Sequence, residues 1–131
     1  MKRLLAVLLL LPAIASAAET TCKKSPALTG QCRIVKGSLG LTSNIGVTLV
    51  AEDGTRFIIK APPDSNADIA LPVMQNWLYW QSKTGSMKTR INGSFEVCPL
   101  PTEINTPGIK DFGCITKGTR ITEDKSAPAG N

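Results

Sequence analysis

The sequence predicts a small, mainly β protein: a five-stranded OB-like Greek-key barrel with one helix between strands 3 and 4, stapled by two disulfides. Three observations carry this expectation. Apolar and polar residues alternate in short runs set off by glycine and proline, the pattern of half-buried strands. One stretch, Leu71 to Gln81, instead carries apolar residues at helical spacing. The resulting order, three strands, a helix and two strands, is that of the OB barrel, and closure removes edges that short strands would otherwise expose.

The chain has 131 residues, the length of one domain. Residues 1–17 read as a signal peptide: Lys2 and Arg3 form a charged start, Leu4 to Leu11 is apolar, Pro12 breaks the run, and Ala15-Ser16-Ala17 fits a cleavage site. The expected location is periplasmic or secreted, with a Sec-type bacterial leader and a mature chain starting near Ala18 or Glu19. Beyond Lys2 and Arg3 there remain 13 basic and 10 acidic residues, so the mature charge is only mildly positive. A dedicated nucleic-acid binder concentrates more charge than this, so no nucleic-acid partner is expected. No second apolar run reaches the length of roughly 18 residues that a transmembrane helix needs, so no membrane span is expected. Residues 18–29 form an amino-terminal segment tethered by disulfide, 30–121 the barrel, and 122–131 a polar, flexible tail.

The first strand follows Gly30: Arg33, Val35, Gly37, Leu39 and Leu41 share one side, and Ile34, Lys36 and Ser38 the other. Val47 to Ala51 is the second, and Asp53-Gly54 predicts a type I′ hairpin turn into the third, Arg56 to Ala61. Pro62-Pro63 ends it, and Asp64 to Asp68 is a polar loop suited to capping the helix. Within the helix, Pro72 fits the first turn, Val73, Met74, Trp77, Leu78 and Gln81 follow helical spacing, and Gly85 is the stop. Met87 to Cys98 alternates again, with Lys88, Arg90, Asn92 and Glu96 outward. Phe112 to Ile121 is the last strand.

Cys22, Cys32, Cys98 and Cys114 are an even set, which in an exported chain reads as two disulfides. Three connectivities exist. Cys22 to Cys32 and Cys98 to Cys114 is favoured, because each pair brackets a short segment rich in turn formers; a Cys98–Cys114 loop of 17 residues is worth roughly 3 kcal/mol. A crossed link between the amino-terminal segment and the fourth strand is expected to be incompatible with this strand placement. Zinc is disfavoured by the absence of histidine and of any Cys-x-x-Cys pair.

Gly93-Ser94-Phe95-Glu96-Val97-Cys98-Pro99-Leu100, followed by Pro107-Gly108 and Cys114-Ile115, resembles a signature of small bacterial periplasmic OB-fold-like proteins of unassigned activity. The resemblance implies a barrel with a late disulfide and carries no catalytic residue across.

Catalysis finds few candidates. Histidine, the commonest general base, is absent, and four paired cysteines leave no thiol nucleophile. Ser82 with Lys83, or Ser86 with Lys88, surround a glycine turn where such residues are ordinarily just solvated. Asp64, Asn66 and Asp68 alternate as in a calcium loop, but Ile69 and Gln75 stand where that loop needs glycine and glutamate. A non-enzymatic binding module without cofactor or metal is therefore expected, its partner an envelope polymer or a protein. Two surfaces are candidates. Tyr79 and Trp80 cannot both face the core with Trp77, so at least one is left partly exposed, able to stack on a sugar ring or a partner's apolar side chain; a barrel plug with a tyrosine tip in water is the other reading. Arg56, Lys60, Lys88 and Arg90, with Arg33, Lys36, Lys117 and Arg120, lie in or beside strands and would form a cationic face if their outer sides converge. An assembly role in an envelope or secretion complex is the alternative.

Overall fold

The computed structural model describes residues 22–63, 67–101 and 111–125. Five strands follow in chain order: β1 (Arg33–Thr42), β2 (Gly46–Ala51), β3 (Arg56–Ile59), β4 (Ile91–Leu100) and β5 (Asp111–Glu123). One helix, α1 (Leu71–Thr84), lies between β3 and β4. The strands close a barrel in the order β1-β2-β3-β5-β4. β1 is long enough to serve two neighbours, pairing β4 from Arg33↔Val97 to Leu39↔Ile91 and β2 from Gly37↔Ala51 to Thr42↔Gly46. Closure comes from the one parallel pair, β3 with β5 through Phe57↔Asp111, Ile58↔Phe112 and Ile59↔Gly113. The expected OB-like barrel is the observed one.

Alternation decides what fills it. Val35, Leu39, Leu49, Phe57, Ile59, Ile91, Phe95, Val97 and Ile115 turn inward and are buried, as period-two patterning demands. The helix closes the barrel with Val73 and Trp77, each at most 4% exposed. Trp77 satisfies its buried indole by donating from Nε1 to the Thr89 carbonyl at 2.9 Å. Leu78, expected on this face, points away and is 52% exposed.

The helix runs one turn past the expected Gln81, to Thr84, where Gly85 stops it in the left-handed region with its N–H on the Gln81 carbonyl. Its start departs from expectation. The N-cap is Ala70, and no side chain caps it. Asp68 is engaged elsewhere: its carbonyl accepts from the Ile115 N–H and the Ala70 N–H donates to the Ile115 carbonyl, so this segment bridges to β5. Asp64 and Asn66, the other residues of the calcium-like run, lie outside the described residues, as does the leader expected over residues 1–17.

Three further expectations are corrected. The β2–β3 connection is a three-residue loop closed by the Ala51 N–H on the Thr55 carbonyl, with Gly54 the residue at positive φ, so it is not the type I′ turn. β4 begins at Ile91, and Met87 and Lys88 belong to the turn after the helix. β5 continues through Glu123; Asp124 then accepts from the Ser38 hydroxyl at 2.6 Å and donates its N–H to the Arg90 carbonyl, so the tail is anchored at least that far.

The largest correction is the disulfide pairing: Cys22 joins Cys114 and Cys32 joins Cys98. Cys98 and Cys114 are indeed cross-strand partners, yet they are not joined to each other. Both side chains leave the outer face of the sheet, roughly perpendicular to it and not along it towards each other. They therefore meet the segment that covers that face. The segment from Cys22 to Cys32 lies over β4 and β5 and buries a second apolar cluster, Leu100 and Phe112 with the cysteines, flanked by Ala27, Leu28 and Ile58. Lys23 reinforces the cover through an ion pair with Glu96 at 2.9 Å. Crossed links leave the β4–β5 register intact.

Candidate functional site

Helical geometry sets the first candidate surface. Val73, Trp77 and Gln81 recur every four residues and turn inward, so Tyr79 falls outside and Trp80 on the seam between helix and barrel. Tyr79 is 52% exposed, whereas Trp80 is half-buried against the core. Their rings meet edge to face with centroids 5.3 Å apart. One turn later Lys83 returns over the same surface, its ammonium 5.6 Å from both ring centroids.

The end of β5 completes a groove here. Trp80, Lys83 and Thr84 form one wall, and Thr122, Glu123 and Lys125 the other. The register Ile91↔Glu123 brings the chain preceding β4, including the turn that carries Lys88, to this end of the barrel. An aromatic wall, two ammonium groups, two hydroxyls and one carboxylate thus share one shallow depression. Such a surface can stack a sugar ring on the indole while the ammonium groups hold an acidic substituent.

The cationic residues expected from the sequence do not converge on one bare face. Arg90 is committed within the structure: Nε donates to the Ser38 hydroxyl at 2.9 Å, and Nη2 to the Ser38 and Thr48 carbonyls at 2.6 and 3.1 Å. Burial pulls its pKa down, the Asp124 carboxylate opposes that, and neighbouring Arg56 adds to it. Arg56 is exposed at the start of β3. Lys60 sits 4.9 Å from the Phe112 ring centroid beside the outer apolar cluster. Arg33 lies 5.4 Å from the Phe57 centroid at the barrel end. Lys117 is 3.8 Å from Glu96. Lys36 and Arg120 remain open, and both line a second groove on the outer sheet face.

Of the expected site residues, Tyr79 and Trp80 are together, Lys88 is at the same barrel end, and Arg56, Lys60 and Arg90 are elsewhere. Sequence reasoning weighed Lys83 only beside Ser82 as a catalytic pair, and passed over Thr84, Thr122, Glu123 and Lys125. The i,i+3 and i,i+4 spacing of Lys83 to Trp80 and Tyr79 was the available signal. Lys125 had none, because the length of β5 past its last apolar residue is set by pairing with β4.

No protein-family model, curated protein or solved structure matches this chain. The Ser82 hydroxyl donates to the Tyr79 carbonyl, and the Ser86 hydroxyl accepts from the Lys88 N–H, so both serines serve the local backbone. Among the described residues no group of three or more His, Cys, Asp or Glu side chains could hold a metal ion. No helix among them is long and apolar enough to cross a membrane, and the two disulfides are compatible with export.

Proposed function

We propose that the chain is a non-enzymatic, periplasmic or secreted binding module whose ligand is an anionic glycan, held in the groove of Trp80, Lys83, Thr84, Thr122, Glu123 and Lys125. One observation carries the reading: Trp80 and two ammonium groups line the same depression, with Lys83 lying over both Tyr79 and Trp80. Stacking favours a ligand with flat apolar faces, and the ammonium groups favour one with acidic substituents. The disulfide-bonded compartment favours a polysaccharide over a nucleic acid. The stretch Gly93 to Leu100 with Cys114 is, on this reading, shared with other small periplasmic barrels of the same kind.

Titration against heparin at two ionic strengths tests this. Trp80→Ala, still folded, should weaken binding about tenfold, the loss of one stacking contact. Lys83→Ser with Lys125→Ser should weaken it and flatten its salt dependence, because fewer counterions are released. A folded Trp80→Ala variant with unchanged affinity overturns the reading.

The alternative, an assembly subunit, is favoured by one feature. Leu71, Leu78, Tyr79 and Met87 are 60%, 52%, 52% and 68% exposed, and Leu71 and Leu78 share a side of α1 two turns apart. Affinity isolation from an envelope extract before and after glycan digestion separates the two, since a glycan module loses its catch on digestion and an assembly subunit keeps it.

A further inference from the structure

β5 holds one residue in a conformation that its side chain does not favour. Ser94 pairs with Thr119 and Asn92 with Thr122, so Gly93 faces both Arg120 and Ile121 across a bulge. Arg120, the first of the two, has φ 54°. That is the place and the backbone region a glycine takes in the corresponding bulge, and a β-carbon there is disfavoured. A bulge re-aims side chains, and here it turns Arg120 onto the outer sheet face beside β4.

What Arg120 joins there is a set of donors. Lys36 of β1 is the cross-strand partner of Ser94, which in turn partners Thr119. Lys36, Asn92, Ser94 and Arg120 line one open groove on this face, with Glu52 its one carboxylate. No side-chain hydrogen bond or ion pair joins any of those four to a described residue, in contrast to Arg90, Lys23 and Lys117. Two cations, an amide and a hydroxyl, held on three paired strands, are thus left unused by the fold, the donor set an oxyanion needs.

We propose that this groove is a subsite for the acidic group, sulfate or carboxylate, of an anionic glycan, and that the left-handed turn at Arg120 exists to present its guanidinium there. The inference rests on the glycan reading above and extends it to a second contact. The two surfaces adjoin. Thr122, which lines the Trp80 groove, is the cross-strand partner of Asn92, which lines this one. Arg120 and Glu123 are about 10 Å apart along an extended strand, so a chain of a few sugar units reaches both. Lys36 and Arg120 outnumber Glu52, so the charge is complementary to the ligand proposed.

The test is amide chemical-shift mapping of the full chain with a heparin hexasaccharide, run on the wild type, Arg120→Gly, Lys36→Ser and Trp80→Ala. Glycine suits the backbone at position 120, so Arg120→Gly should melt no lower than wild type. It should abolish the response of Lys36, Asn92 and Ser94, keep that of Trp80, and weaken binding about threefold to tenfold, with Lys36→Ser close behind. Trp80→Ala should do the converse. Shifts confined to the Trp80 groove, unaffected by Arg120→Gly and Lys36→Ser, overturn the subsite and leave the glycan reading standing. Shifts confined to Lys36, Asn92, Ser94 and position 120 keep the subsite and overturn the aromatic groove. No shifts in either place overturn both.

Discussion

From just before β4, Arg90 reaches across β1 to β2 on the outer face of the barrel, and Gly40 makes that possible. A β-carbon at position 40 would stand 2.6 Å from the Arg90 Cγ, so the arginine could not lie flat across β1 to reach Ser38 and Thr48. Thr48, only 2% exposed although it faces outward, is covered by this side chain. Gly40→Ala and Arg90→Ala should each cost about 1 to 3 kcal/mol, because either strips charge-assisted hydrogen bonds from half-buried acceptors. In the Arg90→Ala background the alanine at 40 should cost little, since what it displaces is already gone. Urea denaturation of the four variants checks this, and additive losses would refute the coupling. The alternation that turns Leu39 and Leu49 inward was legible in the sequence. That Arg90 is structural while Arg120 is open was not, because an outward position says nothing about what lies across the neighbouring strand.

Elements show the same division. The helix was legible because its apolar period, Pro72 and Gly85 agree, and burial of Trp77 followed. Leu78 was misplaced because the helix presents one narrow face to the barrel. Asp68 did not cap because backbone pairing with Ile115 claimed it. The amino-terminal cover was invisible as such: its turn formers suggested a self-contained loop, whereas its apolar residues close over β4 and β5. Glu96 is its electrostatic clamp. Burial pushes its pKa up, but the hydrogen bond from Thr116 and the charges of Lys23 and Lys117 outweigh that and hold it below the ordinary glutamate value. A carboxylate with a lowered folded-state pKa contributes stability above its unfolded pKa and loses it as pH falls through the folded one. Stability should therefore fall below about pH 4.5. Glu96→Gln should cost about 1 kcal/mol at pH 7 and make that acid limb shallower. Melting followed from pH 7 to pH 3 reads both effects, and an acid limb as steep as in the wild type would remove Glu96 from the account.

At the scale of the whole molecule, crossed disulfides do what the expected local pairs could not. Cys22–Cys114 and Cys32–Cys98 span 92 and 66 residues, so each constrains nearly the whole barrel in the unfolded chain. Taken alone, either closure is worth about 4 to 5 kcal/mol in the chain-entropy model, against roughly 3 for a loop the size of Cys98–Cys114. The two are nested, so once one is closed the other adds about 3 to 4. Together they approach the entire stability of an ordinary domain, about 5 to 15 kcal/mol. The linkage is directly readable because Lys23 and Lys24 separate Cys22 from Cys32, and Lys110 separates Cys98 from Cys114. Non-reducing tryptic mapping should join the peptide ending at Lys23 to residues 111–117, and residues 25–33 to residues 91–110. Recovery of Cys22 with Cys32 would instead detach the cover from the barrel. With the crossed links, Cys32→Ser/Cys98→Ser should remain folded but lose about 3 kcal/mol, while replacing all four cysteines should leave the chain largely unfolded at 37 °C. A four-serine variant that melts like the wild type would show that barrel packing alone sustains the fold and that the cover is dispensable.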